Sequence, residues 1–158
     1  MQRSILVLVA VLVLVIIFAW RYNALEGGLF SSSFIPQATV YIDNTPISVE
    51  LARTQEEIVR GLSGRPSLPS EKGMLFIFEE PGYYEFWMKD MRFPIDIIWI
   101  SEDLQVVDIA PDVGPETYPN TFQPNDLAQY VLEVNALYTE VHGIKIGDPV
   151  RFSDNISN

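Results

Sequence analysis

Tyr83, Tyr84, Glu85, Phe86, Trp87, Met88 and Lys89 follow one another, and a strand's period of two divides them into two faces. Tyr84, Phe86 and Met88 make an apolar face suited to a core. Tyr83, Glu85, Trp87 and Lys89 make a ladder of large amphipathic groups beside one anion and one cation. Such a ladder suits a groove that stacks on a flat ligand, since aromatic faces supply apolar area and the charges fix orientation. The same residues also suit an ordinary solvent face, with Trp87 covering a neighbouring strand and Lys89 pairing with a carboxylate. Two carboxylates stand inside apolar runs. Asp96 shares a strand side with Ile98 and Ile100, and Glu133 shares one with Val131 and Asn135. A buried unpaired carboxylate costs several kcal/mol or takes up a proton, so Glu133 calls for neutralisation by Lys89, Arg60, Arg65 or Arg92. A Lys89–Asp96–Glu133 cluster would supply a general acid, a general base and a cation for a developing anion. The alternative is a satisfied ion pair that fixes strand register.

Other chemistries are narrowed by composition. The chain has no cysteine and one histidine, His142, which excludes disulfides, thiolate nucleophiles, Cys-ligated metals and a multi-His metal site within one chain. No Gly-x-Ser-x-Gly elbow exists, and Ser63, between Leu62 and Gly64, reads as a turn residue. Asp112 and Asp126 lack the alternating oxygen ligands of a calcium loop. No metal or cofactor is therefore expected. The stretch 111–124 carries Glu116, Tyr118 and Phe122 among Pro115, Pro119 and Pro124, so its aromatics are presented stiffly, as a rim over a binding surface or as a clamp on the sheet. The candidate ligand-binding residues are Tyr83, Trp87, Lys89, Tyr118 and Arg65. The candidate catalytic residues are Lys89, Asp96 and Glu133.

Short runs rich in Val, Ile, Phe, Tyr and Trp, separated by Gly, Pro, Asn and Asp, must position these groups. Residues 38–42 and 47–51 flank Asp43, Asn44, Thr45 and Pro46 as a hairpin. Thr54 with Glu57 three positions on forms a capping box, Ile58 and Leu62 give a stripe, and Gly61 and Gly64 stop the helix. Residues 73–78 read as a strand buried on both faces. Strands are expected at 83–89, 95–100, 106–109, 130–135 and 150–152, and residues 111–124 as a loop that cannot continue a sheet. Seven or eight short strands with one short α-helix predict a mostly-β fold, a compact β-sandwich or barrel.

The whole chain has 158 residues, with 10 Lys and Arg against 21 Asp and Glu for a net charge of −11. An acidic surface without a basic patch argues against nucleic-acid binding. Residues 5–20 contain no charge and span about 24 Å as a helix, with Arg3 and Arg21 placed to snorkel and Trp20 and Tyr22 at an interface. No small-x-small cleavage site follows, so residues 1–22 read as a retained signal-anchor and single transmembrane helix, with the acidic remainder on the extracytoplasmic side. Residues 23–36 read as a flexible linker, 37–153 as a β-rich globular domain and 154–158 as a polar tail.

Five segments then occur in order: Arg60 to Arg65 (RGLSGR), Gly73 to Phe78 (GMLFIF), Phe86 to Lys89 (FWMK), Pro94 to Ile100 (PIDIIWI) and Tyr130 to Val134 (YVLEV). With Gly143, Ile144, Gly147 and Asp148, they resemble the bacterial and archaeal family known as domain of unknown function 192, over residues 38–152. The resemblance implies a compact mostly-β domain, often exported or membrane-anchored, and no established reaction, substrate or cofactor. It places Trp87, Lys89, Asp96 and Glu133 in signature segments. Three departures stand out: Ser63 where many members have methionine, Asp90 and Met91 after the lysine, and Leu137 where a glycine is usual. The functional expectation is a binding or accessory module for a small molecule, glycan or peptide. The alternatives are a carboxylate/lysine-based hydrolase or lyase, and a structural envelope protein that docks a protein partner through residues 111–124.

Overall fold

A computed structural model of the chain describes residues 37–153 and Ile156. The expected membrane helix over 1–22 and linker over 23–36 lie outside the described residues. Among the described residues no helix is long and apolar enough to cross a membrane.

Nine strands are present among these residues. β1 (Gln37–Ile42) and β2 (Thr45–Ala52) form the expected hairpin, with a tighter turn than predicted. Asp43 takes a positive φ of 53°, which shortens the turn to Asp43 and Asn44 and draws Thr45 and Pro46 into the strand. Helix α1 (Gln55–Arg60) starts at the predicted capping box: Thr54 accepts from the Glu57 amide, and Glu57 accepts from the Thr54 amide at 2.9 Å. Gly61, at φ 48°, ends it. Then come β3 (Lys72–Gly82), β4 (Phe86–Trp87), β5 (Ile95–Ile100), β6 (Val106–Val113), a 3₁₀ turn (Pro115–Thr117), β7 (Thr121–Phe122), β8 (Ala128–Asn135), helix α2 (Tyr138–His142) and β9 (Val150–Phe152).

Seven strands make one sheet in the order β6-β5-β8-β3-β2-β1-β9, and β4 and β7 pair separately. The sheet curls into a half-barrel whose edge strands meet at one end. There Gln105 bridges Pro149, the Val106 amide donates to the Asp148 carbonyl at 3.0 Å, and the Val150 amide donates to the Leu104 carbonyl at 2.8 Å. Both faces of the central strands are buried, as the unbroken apolar runs of β3 and β5 require. The inner cluster includes Val40, Ile47, Leu75, Ile98, Leu132 and Val150. The outer one includes Leu62, Met74, Phe76, Met88, Trp99 and Val131, and lies beneath the segments after α1 and before β5.

Four expectations are corrected. Residues 83–89 are strand only at Phe86–Trp87, although the division of faces holds: Met88 is buried, Tyr84 and Phe86 are half-buried, and Tyr83, Glu85, Trp87 and Lys89 are exposed. The stretch from 111 begins as strand, because β6 is an edge at this point and a register shift between Ile95 and Ile97 accommodates Pro111 and Asp112, the latter at φ 49°. A second short helix, α2, follows β8. Leu137 precedes it at φ 64°, so the left-handed turn that suits glycine is kept with a leucine in it. Ile156, expected in a polar tail, is buried against the inner cluster.

Candidate functional site

A cleft of about 810 Å³ opens on the outer face of the sheet. α1 and the turn after it form one wall, the outer residues of β3 form the floor, and residues 84–91 form the other wall. Local contacts hold these parts. The Phe86 ring meets Phe76 edge-on at 4.8 Å and Trp99 at 6.4 Å, while Tyr84 stacks on Phe78 at 3.5 Å. The Trp99 indole N–H donates to the Tyr84 carbonyl at 3.0 Å, which pins the aromatic segment to β5. Ser63 donates its hydroxyl to the Lys89 carbonyl at 2.9 Å, and the Gly64 amide donates to Asp90 at 2.9 Å. These bonds staple the turn after α1 to the opposite wall. Gly61 passes so close to Phe76 that a Cβ there would meet the ring at 3.3 Å.

Glu133 lines the inner wall of this cleft. In register it stands between Met74 of β3 and Ile97 of β5, and Met74 in turn faces Glu50 of β2. It is only 5% exposed, and its Oε2 has no hydrogen-bond partner. Burial pushes its carboxyl up to about 8, against the opposing pull of Arg65. That guanidinium is committed elsewhere: it forks onto Glu50 at 2.8 and 2.7 Å, and this bond raises Arg65 above its usual range. None of the four cations proposed to pair with Glu133 makes a salt bridge to it, and burial instead favours its protonated form.

Asp96 lies elsewhere. It faces the inner cluster's side of β5, opposite to Glu133, and is fully buried. It accepts from the amides of Asp112 (2.8 Å), Leu137 (3.0 Å) and Thr139 (2.8 Å) and from the Thr139 hydroxyl (2.6 Å). The expected Lys89–Asp96–Glu133 cluster is therefore not assembled: Asp96 caps α2 and ties down the β6 bulge. Lys89 is exposed, with its Nζ 5.7 Å from the centre of the Trp87 ring. Trp87 lines the cleft and meets Tyr118 edge-on at 5.9 Å, so Trp87, Lys89 and Tyr118 form one exposed aromatic and cationic group beside the cleft mouth. Tyr83 is exposed and outside the cleft lining, and Arg65 sits over the Glu50 end of the row.

Sequence reasoning missed the α1 side of the cleft and its acidic rim of Glu79 and Glu80. The overlooked signal is the pair of consecutive carboxylates that directly follows a buried aromatic run. It also missed a second hollow of about 330 Å³ beside α2, lined by Glu71, Tyr138 and His142 among others. The Tyr138 hydroxyl is buried there without a partner, and its ring stacks on His142 at 4.0 Å. Among the described residues no group of three or more metal-ligating side chains is assembled.

No curated protein matches the chain. Among the solved structures that share the fold are two proteins. One, from Sinorhizobium meliloti 1021 and provisionally described as a transcription regulator, is 26% identical, with a TM-score of 0.70 over 75% of this chain and 95% of that one. The other, a protein of unknown function from Novosphingobium aromaticivorans DSM 12444, is 31% identical, with a TM-score of 0.68 over 78% of this chain and 91% of its own. The family model for domain of unknown function 192, described as an uncharacterised ACR, matches residues 38–152. The chain belongs to that family.

Proposed function

We propose that this chain is a binding or accessory module, tethered to a membrane through residues 1–22, whose outer-face cleft holds a small molecule on the extracytoplasmic side. The cleft itself carries this reading: it has the size of a small-molecule site, aromatic walls, and one buried polar group left unpartnered on its inner side. The group formed by Trp87, Lys89 and Tyr118 extends the aromatic surface at the mouth and suits a flat ligand, a sugar ring or an extended peptide side chain. Arg65 supports the floor through Glu50, and Tyr83 would meet only a ligand that overhangs the site.

A hydrolase or lyase built on Lys89, Asp96 and Glu133 has less support, because Asp96 is saturated by four donors on the other side of the sheet. Regulation of transcription by DNA contact has little support in a chain of net charge −11. The test is a thermal-shift screen of the detergent-solubilised full chain against sugars, short peptides and small aromatic compounds. The expected result is a stabilising ligand that Trp87→Ala abolishes and that is recovered chemically unchanged. Turnover of the ligand, lost in Glu133→Gln, would select the enzyme. Fractionation tests the tether: the full chain should resist alkaline extraction from membranes, and a chain lacking residues 1–22 should be released.

A further inference from the structure

We propose that the cleft selects a cationic ligand, an alkyl- or arylalkylammonium whose nitrogen pairs with Glu133 while its apolar body lies against Phe76, Phe86 and Trp87. This inference rests on the cleft being a binding site and names what it binds. The first support is geometric. Glu133 Oε2 is buried on the cleft's inner wall with no donor to satisfy it, and Met74 and Ile97, its cross-strand neighbours, offer none. An ammonium group supplies the missing donors.

The second support is the distribution of charge. Glu79, Glu80, Glu85 and Glu133 line the cleft, against Arg53 and Arg60. Arg60 is engaged by Glu56 along α1, and Arg53 donates to the Ile156 carbonyl at 3.0 Å. Arg65, the cation nearest Glu133, is held bidentately by Glu50. Lys89 lies over Trp87 at the mouth. A ligand anion would therefore meet three exposed carboxylates, the buried Glu133 and two already engaged guanidiniums, whereas a ligand cation is drawn in by the rim and by the charge of the whole chain. The proton balance follows. Burial favours the protonated form of Glu133, so seating an ammonium beside it drives the proton from the carboxyl to bulk water and leaves a carboxylate–ammonium pair.

The experiment is calorimetric titration of the full chain at pH 7 with 2-phenylethylammonium, 2-phenylethanol and 3-phenylpropanoate, each in buffers of different ionisation enthalpy. The proposal expects the ammonium to bind at least about tenfold tighter than the alcohol, releasing about one proton per site. Glu133→Gln should weaken it about tenfold and abolish the proton release. Glu85→Gln changes only an exposed rim residue and should fold normally, yet weaken the ammonium about two- to fivefold, with the loss fading at high salt. Tighter binding of the alcohol or the propanoate overturns the cationic preference and leaves the cleft as a binding site, and ammonium binding that Glu133→Gln leaves unchanged overturns the pairing with Glu133. Failure of all three probes to bind overturns the proposal. If the wider screen also finds no cleft ligand, the binding reading falls with it.

Discussion

Asp96 and Thr139 are joined by two hydrogen bonds across 43 residues of chain, 2.8 Å from the Thr139 amide and 2.6 Å from its hydroxyl. A helix of five residues has little stability of its own, so α2 exists because a carboxylate from β5 caps it. Asp96→Ala strands three amides and a hydroxyl in a buried place. It should destabilise the fold by about 3–5 kcal/mol, read as a lower denaturant midpoint. Thr139→Val keeps the amide bond and should cost only about 1–2 kcal/mol.

Glu133 gives a stability profile of unusual sign. Its pKa is raised in the folded chain to about 8 from an ordinary 4.5, so the native state holds the proton more tightly than the unfolded one. Its contribution to stability is therefore full below about pH 4.5, declines as pH rises toward 8, and is flat above that. Glu133→Gln removes the titration. The variant should gain stability relative to the parent between pH 5 and pH 8.5, by several kcal/mol at most, with the gap constant at higher pH. Urea denaturation across that range checks it; a pH-independent difference would place Glu133 in a polar, solvated setting.

Arg65 bridges the two carboxylates of its row unequally, bonded to Glu50 and acting on Glu133 only through space. The Arg65–Glu50 pair is partly solvated, with side chains 30% and 18% exposed, so Arg65→Met should cost only about 1 kcal/mol. Removing the guanidinium also takes away the pull that lowers Glu133. The carboxyl resonance of Glu133 should then titrate at higher pH than in the parent; an unmoved titration would show that Arg65 does not reach it.

Trp87 is exposed and sits on a two-residue strand, so Trp87→Ala should leave the melting temperature within about 2 °C of the parent. Ligand affinity should fall at least about tenfold through loss of the aromatic wall. Tyr118→Ala, its edge-on neighbour, should show a smaller loss of the same kind. A large stability loss at Trp87 with unaltered binding would make the residue a structural clamp instead.

The parts of the fold legible in the sequence are those set by local chemistry. The capping box of Thr54 and Glu57, the apolar run through β3 and the outward set of Tyr83, Glu85, Trp87 and Lys89 follow from spacing alone. What was hidden is what distant residues impose. α2 carries no N-terminal signature of its own, because its cap comes from Asp96. The strand through Pro111 is permitted only because β6 is an edge that bulges there. Glu133 was recognisable as a problem, a carboxylate inside an apolar run, but not its resolution. Which cation is free depends on Arg65 meeting Glu50, and that contact depends on the parallel pairing of β2 with β3.

The claim on which the rest depends is that the cleft bounded by Trp87 and Glu133 receives the ligand. Chemical-shift mapping of the isotope-labelled full chain against a small-fragment library tests it most directly, because it reports every site at once. The account predicts that hits move the indole signals of Trp87 and Trp99 together with the amides of Met74 and Glu133, and leave Tyr138 and His142 unmoved. Hits that gather instead at the hollow beside α2, or that leave the Glu133 row unshifted at saturation, would contradict it.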